Sequence, residues 1–224
     1  SEKIKDFKVK NEVLKSIDLN NPVTEADIKV NELIIKNIRE NYLDIDWDIL
    51  SEENVKNYQI ENNKSDWLWI LDPLDGTKDF IQDTGEYAMH LALNYQGRPY
   101  IGIVLIPSKN ELWIAVEGKV WCEKRKNKSF EKYLLKRSKS LEEMILVTSK
   151  NHRNDNLQRL IEKTNFKKVI KMGSIGCKVA SIIRGESDIY ISISLPGKSS
   201  PKDWDFAAPE AILKAAGGAI TKIN

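Results

Sequence analysis

Residues 67–77 are Trp67-Leu68-Trp69-Ile70-Leu71-Asp72-Pro73-Leu74-Asp75-Gly76-Thr77, an apolar run followed by two acids three positions apart. The run predicts a buried strand, and the Asp-Pro pair after it predicts a tight turn. Gly76 and Thr77 then begin a predicted short helix through Phe80. Asp-Pro and Asp-Gly are common in ordinary turns. The alternative is that both carboxylates bind a divalent cation while backbone N–H groups at the helix start bind a phosphate.

Outward from this stretch, the pattern predicts an α/β protein with two sheets. Thr24 begins a predicted helix of about four turns. Short turns between β-rich runs predict a large antiparallel sheet in residues 1–136, and strand-helix alternation predicts a smaller mixed sheet in residues 137–224. The predicted strands are 86–95, 99–106, 111–116, 120–122, 144–148, 169–172, 188–194 and 219–223, and the predicted later helices are 155–163, 177–184 and 206–216.

Length and composition exclude several classes of protein. The chain has 224 residues, 41% hydrophobic and 30% charged, which fits neither a disordered nor a membrane protein. A formal net charge of +2 is too small to indicate nucleic acid as the main partner. The two cysteines lack the spacing of zinc ligands. Because no apolar run approaches the ~20 residues of a membrane helix and the first residues lack a signal-peptide pattern, we expect a soluble cytoplasmic protein.

Three further acids occupy positions at helix starts and strand ends, where acids often have only a local structural role. Asp27 has the spacing of a helix capping box, Glu52 follows a predicted strand, and Asp205 occupies a predicted helix N-cap. If Glu52, Asp72, Asp75 and Asp205 converge, carboxylates about 4 Å apart repel by about 4 kcal/mol per pair at an effective dielectric of about 20. Hard divalent cations offset such repulsion, and an all-oxygen set without His or Cys indicates Mg²⁺.

Four motifs, in order along residues 24–218, resemble the signatures of the inositol monophosphatase superfamily. They are Thr24-Glu25-Ala26-Asp27, Ser51-Glu52-Glu53, residues 69–77, and residues 204–210 with Ala216-Gly217-Gly218. The resemblance implies a Mg²⁺-dependent, lithium-sensitive phosphatase with the layered α/β/α/β/α fold of the sugar phosphatases. Residues 75–80 and 204–213 are most similar to the 3'(2'),5'-bisphosphate nucleotidase branch, which implies hydrolysis of adenosine 3',5'-bisphosphate to AMP and phosphate.

The same resemblance implies a role for each matching residue. Asp27 and Thr77 would orient and deprotonate the attacking water, and the N–H groups of Gly76 and Thr77 would bind the phosphate. Asp72 would bridge two Mg²⁺ ions. The implied metal ligands are Glu52, Asp72, the Leu74 carbonyl, Asp75 and Asp205, and the implied nucleotide contacts are Ser149, His152, Ser174 and Lys178.

Several interpretations stay open at this point. Lys178 is also compatible with a surface position on a helix, and His152 with a plain polar loop. His90 lies in an alternating strand, and we predict a structural role for it. The substrate could instead be inositol monophosphate or another sugar phosphate, and a protein of a different class could keep the fold and bind RNA or the transcription machinery. We expect a monomer or homodimer that acts on a small phosphorylated molecule and does not bind a membrane.

Overall fold

The computed structural model describes residues 23–45, 47–57, 65–124, 126, 129–135, 139–151, 154–195 and 200–221. Its α-helices are α1 (Glu25–Asn41), α2 (Thr77–Ile81), α3 (Asp155–Thr164), α4 (Ile175–Ile183) and α5 (Asp203–Ala215). Its strands are β1 (Asp48–Ser51), β2 (Trp67–Asp75), β3 (Ala88–Tyr95), β4 (Arg98–Ile106), β5 (Glu111–Val116), β6 (Lys119–Lys124), β7 (Ser129–Lys132), β8 (Ile145–Ser149), β9 (Lys168–Met172) and β10 (Ile189–Tyr190). Short 3₁₀ helices cover Glu52–Asn57, Pro107–Lys109 and Leu141–Glu143.

Helix α1 begins with a capping box. The Thr24 hydroxyl oxygen accepts a hydrogen bond from the Ala26 N–H at 3.1 Å, and Asp27 Oδ2 accepts one from the Thr24 N–H at 2.7 Å. These bonds satisfy backbone groups that a helix start leaves without partners. The helix packs its buried apolar face, which includes Val30 and Ile38, against β2. The prediction of a capped helix after Thr24 is confirmed.

The large sheet has seven strands in the order β1-β2-β3-β4-β5-β6-β7. Strand β1 pairs with β2 in parallel, and every other neighbouring pair is antiparallel. The predicted antiparallel meander is therefore confirmed. One expectation is wrong: no turn interrupts the chain at Asp72-Pro73, because β2 continues through Asp75 with an irregularity in its pairing to β3.

The small sheet has the order β10-β8-β9. We predicted mixed pairing, but both strand pairs are parallel. The connections through α3 and α4 run in opposite directions across this sheet, so right-handed crossovers put the two helices on opposite faces. One apolar core joins the large sheet, α4, α5 and the small sheet, and a second joins the large sheet and α1. The layers alternate as the sequence predicts.

A buried ion pair ties α4 to the large sheet. Arg184, just after α4, places Nη1 2.7 Å from Glu111 Oε2 on β5, and the Trp113 indole N–H donates to the same oxygen at 3.0 Å. On the outer side, Arg184 Nη2 lies 2.8 Å from Glu186 Oε2. Each buried charge in this network faces an opposite charge, which is the condition under which buried charge is tolerated.

Two predicted strands differ more from the structure than by a shift of a few residues at their ends. The predicted strand 188–194 contains only the two-residue β10. Residues 219–221 form no strand, and the rest of the predicted strand 219–223 lies outside the described residues. Among the residues that the structure describes, no helix combines the length and apolarity that crossing a membrane requires.

Candidate active site

The irregularity in β2 decides where its two acids lie. Asp72 pairs with His90 and Asp75 pairs with Ala88, so three steps along β2 match two steps along β3. Side chains alternate between the faces of a strand, and residues three apart would ordinarily point to opposite sides. The extra residue of this bulge changes that alternation. Ligand atoms of Asp72, Asp75 and His90 consequently lie within 4.8 Å of one another.

Gly76 makes the sharp change from β2 to α2 possible. Its φ is +92°, and a Cβ at this position would lie 2.9 Å from the Glu86 carbonyl oxygen. Both facts favour glycine, which has no Cβ and adopts positive φ readily. The Gly76 carbonyl then accepts the Phe80 N–H at 2.9 Å, and α2 begins at Thr77. The predicted short helix after the two acids is confirmed.

Four carboxylates converge at this junction, and we call Glu52, Asp72, Asp75 and Asp205 the acid cluster. Asp72 is 1% exposed, and its pKa is raised well above the usual range by burial and then by repulsion from Glu52, Asp75 and Asp205. Burial followed by repulsion from Asp205 raises the pKa of Glu52 to about 8. Burial followed by repulsion from Asp75 raises the pKa of Asp205 to about 7. Three of the four carboxylates are thus disfavoured in their charged form by the fold itself.

Asp205 reaches the cluster from the first turn of α5. It is not the N-cap that its sequence position predicts. Lys202 is the N-cap, and Asp205 is the third helical residue, whose Oδ2 accepts a hydrogen bond from the Lys202 N–H. Glu52 belongs to a different element and lies at the start of the 3₁₀ helix after β1. The parallel pairing of β1 with β2 brings this position next to the end of β2.

Asp27 and Thr77 lie side by side. The Thr77 hydroxyl oxygen is 3.4 Å from Asp27 Oδ1 and 3.1 Å from the Leu74 carbonyl oxygen. Its single hydrogen can be donated to only one of the two at a time. Asp27 is 2% exposed; burial raises its pKa, and hydrogen bonds from Thr24 oppose that rise. The Leu74 N–H donates to Asp72 Oδ1 at 3.0 Å, which orients this segment further.

The beginning of α4 holds Asp75. Ser174 is the N-cap of α4; its hydroxyl accepts the Cys177 N–H at 3.2 Å and donates to Asp75 Oδ2 at 2.6 Å. The N–H groups of Ile175 and Gly176 also donate to Asp75 Oδ2. A carboxylate at a helix N-terminus is favoured by the free N–H groups and by the helix dipole. Ser174 therefore contacts a member of the acid cluster.

Lys178 is buried rather than on the surface. Its side chain is 2% exposed, Nζ donates to the Gly173 carbonyl, and Nζ lies 5.2 Å from the centre of the Tyr190 ring. Burial lowers the pKa of Lys178, and attraction to Asp75 opposes that lowering. The surface alternative is wrong because every residue of α4 is buried. Lys178 is therefore a buried side chain within electrostatic reach of Asp75 and Asp205.

The two remaining predicted residues are Ser149 and His152. Ser149 ends β8 and pairs with Met172 of β9, two residues before the N-cap of α4. His152 lies outside the described residues. The neighbouring Lys150 places Nζ 2.8 Å from Asp79 Oδ1, which connects the end of β8 to α2.

His90 is the residue that sequence reasoning missed. It is fully buried on β3, with Nε2 3.3 Å from Asp75 Oδ2 and Nδ1 3.9 Å from Asp72 Oδ2. Burial lowers its pKa, and attraction to Asp75 opposes the lowering. Strand alternation indicated a buried face for His90, but only the β2–β3 register reveals that this face contains the acids.

The chemistry of the donor set fits a divalent cation. Carboxylate and carbonyl oxygens are the ligands of hard cations such as Mg²⁺, Ca²⁺ and Mn²⁺. Among the described residues, no lysine or arginine forms an ion pair with Glu52, Asp72 or Asp205. Bringing a cation to these oxygens removes the repulsion that raises their pKa values.

Comparison with known proteins agrees with this geometry. The model of the "Inositol monophosphatase family" matches residues 2–224. The 3'(2'),5'-bisphosphate nucleotidase CysQ of Buchnera aphidicola subsp. Acyrthosiphon pisum is 33% identical over 204 residues, which cover 90% of this chain and 71% of that protein. The Nus factor SuhB of Pasteurella multocida is 29% identical over 214 residues, which cover 92% of this chain and 73% of that protein.

A solved structure gives the same result for the fold. The crystal structure of CysQ from Bacteroides thetaiotaomicron, a bacterial member of the inositol monophosphatase family, superposes with a TM-score of 0.74 at 28% identity. The match covers 96% of this chain and 82% of that one. The order of the motifs, the acid cluster at the end of β2, and these likenesses agree: the chain belongs to the inositol monophosphatase family.

Proposed function

We propose that this protein is a cytoplasmic, Mg²⁺-dependent phosphatase that hydrolyses the 3'-phosphate of adenosine 3',5'-bisphosphate to give AMP and phosphate. One observation carries the proposal: the acid cluster gathers four carboxylates beside the start of α2, and among the described residues no lysine or arginine side chain forms an ion pair with Glu52, Asp72 or Asp205. The 33% identity to a relative named as a 3'(2'),5'-bisphosphate nucleotidase supports the choice of nucleotide.

The metal ligands in this proposal are Glu52, Asp72, the Leu74 carbonyl, Asp75 and Asp205. The chemistry that divalent cations supply at such a site is charge stabilisation of the attacking and leaving oxygens of an in-line phosphoryl displacement. Asp72 would be the carboxylate that bound cations stabilise most, because it is the most buried member and experiences repulsion from all three others. The Leu74 N–H fixes its carboxylate through Oδ1.

Asp27 and Thr77 act on the attacking water. Burial raises the pKa of Asp27, which makes this carboxylate a better proton acceptor than an exposed aspartate. Thr77 lies within reach of both Asp27 and the Leu74 carbonyl, so its hydroxyl can orient the water toward the phosphorus. The N–H groups of Gly76 and Thr77 bind the phosphate oxygens, which approach closely because Gly76 has no side chain.

Ser149, His152, Ser174 and Lys178 are assigned to the rest of the nucleotide by the family resemblance. The hydroxyl of Ser174 already donates to Asp75 and Lys178 already donates to Gly173. Ser174 therefore serves the site first by holding Asp75, and Lys178 by its attraction to Asp75, and a substrate contact would come in addition.

Phosphate release from adenosine 3',5'-bisphosphate, measured with and without Mg²⁺, tests the function. We expect Asp75→Asn to lower kcat/KM by about 1000-fold, roughly 4 kcal/mol of transition-state stabilisation. Asp66→Asn is the matched control, because Asp66 is exposed and lies at the far end of β2. Comparing kcat/KM for inositol monophosphate separates the two substrate classes. No phosphate release at any Mg²⁺ concentration contradicts the proposal.

Lithium inhibition is a further expectation of the same site. Li⁺ would compete for the oxygen ligands of one divalent cation. Turnover is measured across a Li⁺ series at two Mg²⁺ concentrations. If the Li⁺ concentration that halves turnover is the same at both Mg²⁺ concentrations, the two cations do not compete at these ligands. Turnover that is unchanged at every Li⁺ concentration also contradicts the expectation.

A second candidate function follows from the likeness to a Nus factor. A protein that acts only by binding RNA or the transcription machinery has no need of the acid cluster. Asp75→Asn distinguishes the two candidates. A biological effect that survives this change, in a variant with an unaltered circular dichroism spectrum, favours binding, and an effect that is lost favours catalysis.

A further inference from the structure

His90 is a buried side chain whose nitrogen atoms lie near two carboxylates but make no hydrogen bond of standard geometry with a described residue. It is 0% exposed. The Trp204 backbone also faces the ring, but this contact falls short of that geometry. Leaving a buried donor or acceptor unpaired costs about 1–3 kcal/mol. Such groups are rare in folded proteins, and each calls for a partner.

Packing holds the imidazole against the acids. A Cβ at Gly176 would lie 2.3 Å from His90 Nε2, so the ring occupies space that only a glycine in the first turn of α4 leaves open. The ring therefore cannot withdraw toward α4. Nε2 remains 3.3 Å from Asp75 Oδ2, and Nδ1 remains 3.9 Å from Asp72 Oδ2.

These distances agree with ligands that share one ion. Two donor atoms about 2.1 Å from a cation and at right angles to each other lie about 3.0 Å apart. The separation of 3.3 Å between His90 Nε2 and Asp75 Oδ2 is close to this value. We propose that His90 donates a ring nitrogen to the cation that Asp72 and Asp75 bind, and that this ligand shifts the site from Mg²⁺ toward Mn²⁺ and Co²⁺.

The shift in selectivity follows from ligand chemistry. Imidazole suits transition metals, and the affinity of a site with nitrogen and oxygen ligands for these metals rises from Mn²⁺ to Co²⁺, whereas Mg²⁺ selects oxygen ligands. The all-oxygen argument for Mg²⁺ therefore applies to Glu52 and Asp205 but not to the part of the site beside His90. The inference rests on the metal site of the proposed function and adds a nitrogen ligand that selects among cations.

Electron spin-echo envelope modulation of bound Mn²⁺ reports nitrogen ligation directly. We expect ¹⁴N modulation in the unaltered protein and its loss in His90→Asn, which leaves a smaller polar side chain beside Gly176. The chain has two histidines, and His152→Asn is the matched control that keeps the modulation. Labelling histidine with ¹⁵N must convert the ¹⁴N pattern to a ¹⁵N pattern in the unaltered protein, so the result does not depend on any variant folding.

Metal affinity gives the second readout. Titration of Mn²⁺ by electron paramagnetic resonance, with Mg²⁺ as competitor, measures both dissociation constants. We expect His90→Asn to weaken Mn²⁺ by about tenfold and Mg²⁺ by much less. Mn²⁺ that binds without ¹⁴N modulation overturns the inference and leaves the carboxylate site intact. Failure of the unaltered protein to bind Mn²⁺ overturns both the inference and the proposed metal site.

Discussion

The large sheet carries two groups of buried acids, and they differ in how their charge is compensated. Glu111 on β5 meets Arg184 at 2.7 Å and the Trp113 indole N–H at 3.0 Å, so folding alone completes this group. Asp72 on β2 lies near three other carboxylates and a histidine. Burial, followed by repulsion from the three carboxylates, raises the pKa of Asp72. The first group is part of the architecture, whereas the second is complete only with a cation from solution.

The difference gives a criterion that does not depend on any relative. Buried charge is tolerated when it is paired and hydrogen-bonded. The fold satisfies this condition at Glu111 but not at Asp72. We therefore expect a ligand from solution to bind beside Asp72. The same criterion explains why Asp75 is held at the start of α4, where three donors partly offset its charge.

The largest expected effect comes from Asp72→Asn. Removing the central negative charge should lower kcat/KM by at least about 1000-fold, or roughly 4 kcal/mol, while the metal-free protein becomes no less stable because repulsion falls. The Asn oxygen can still accept the Leu74 N–H. Phosphate release and urea unfolding in EDTA measure the two effects. Lower stability in EDTA would mean that the cluster is not repulsive.

Arg184→Met should have the opposite profile. It leaves Glu111 buried without its countercharge and should lower the free energy of unfolding by about 3 kcal/mol. Turnover per folded molecule should change little, because Arg184 makes none of the described contacts of the acid cluster. Urea unfolding of Arg184→Met and of the double variant with Glu111→Gln checks the cause. A double variant no more stable than the single one would contradict it.

Metal and pH should act together on stability. The pKa of Glu52 rises from 4.5 to about 8 and that of Asp205 from 3.8 to about 7, so the folded chain binds more protons than the unfolded chain between these values. Stability in EDTA should fall as the pH rises from about 4 to about 8. At pH 8, a divalent cation at 100 times its dissociation constant should restore about 2.7 kcal/mol.

Glu52→Gln supplies the control for this pH dependence. Melting curves at several pH values, with and without cation, should show a shallower fall in EDTA for this variant, since one of the carboxyl groups whose pKa is raised by folding is gone. A pH profile that matches the unaltered protein would show that another group causes the dependence.

The smallest effect should come from Glu186→Ala. Glu186 pairs with Arg184 at 2.8 Å, but its side chain is 49% exposed. Ion pairs in contact with solvent contribute about 0–1 kcal/mol. Unfolding by urea should therefore change by less than about 1 kcal/mol. A loss comparable to that of Arg184→Met would mean that Glu186, rather than Glu111, is the essential partner.

Local signals predicted a good part of this structure. The capping box at Thr24 and Asp27, the meander after α2 and the helix after Gly76 all depend on residues a few positions apart. The convergence of the acids was expected from the family resemblance, since no local pattern relates Glu52 to Asp205. Contacts across the chain then bring them together through the β1–β2 pairing and the start of α5.

What sequence reasoning missed depends on pairing between distant segments. Asp72-Pro73 has the composition of a turn, but pairing with β3 carries the strand through it and accommodates proline at a bulge. From the sequence alone, Lys178 is compatible with a surface position on a helix. The structure shows instead that every residue of α4 is buried. His90 acquires its importance only from the register that sets it opposite Asp72.

The extra residue in β2 also shapes the backbone beside the acids. Deleting Pro73 or Leu74 would give a more regular ladder with β3 and would leave Asp72 and Asp75 two positions apart, still on the same face of the strand. It would, however, remove the backbone loop whose Leu74 N–H donates to Asp72 Oδ1 and whose Leu74 carbonyl oxygen lies 3.1 Å from the Thr77 hydroxyl. The number of residues between the two acids therefore matters to this junction as much as their identity does.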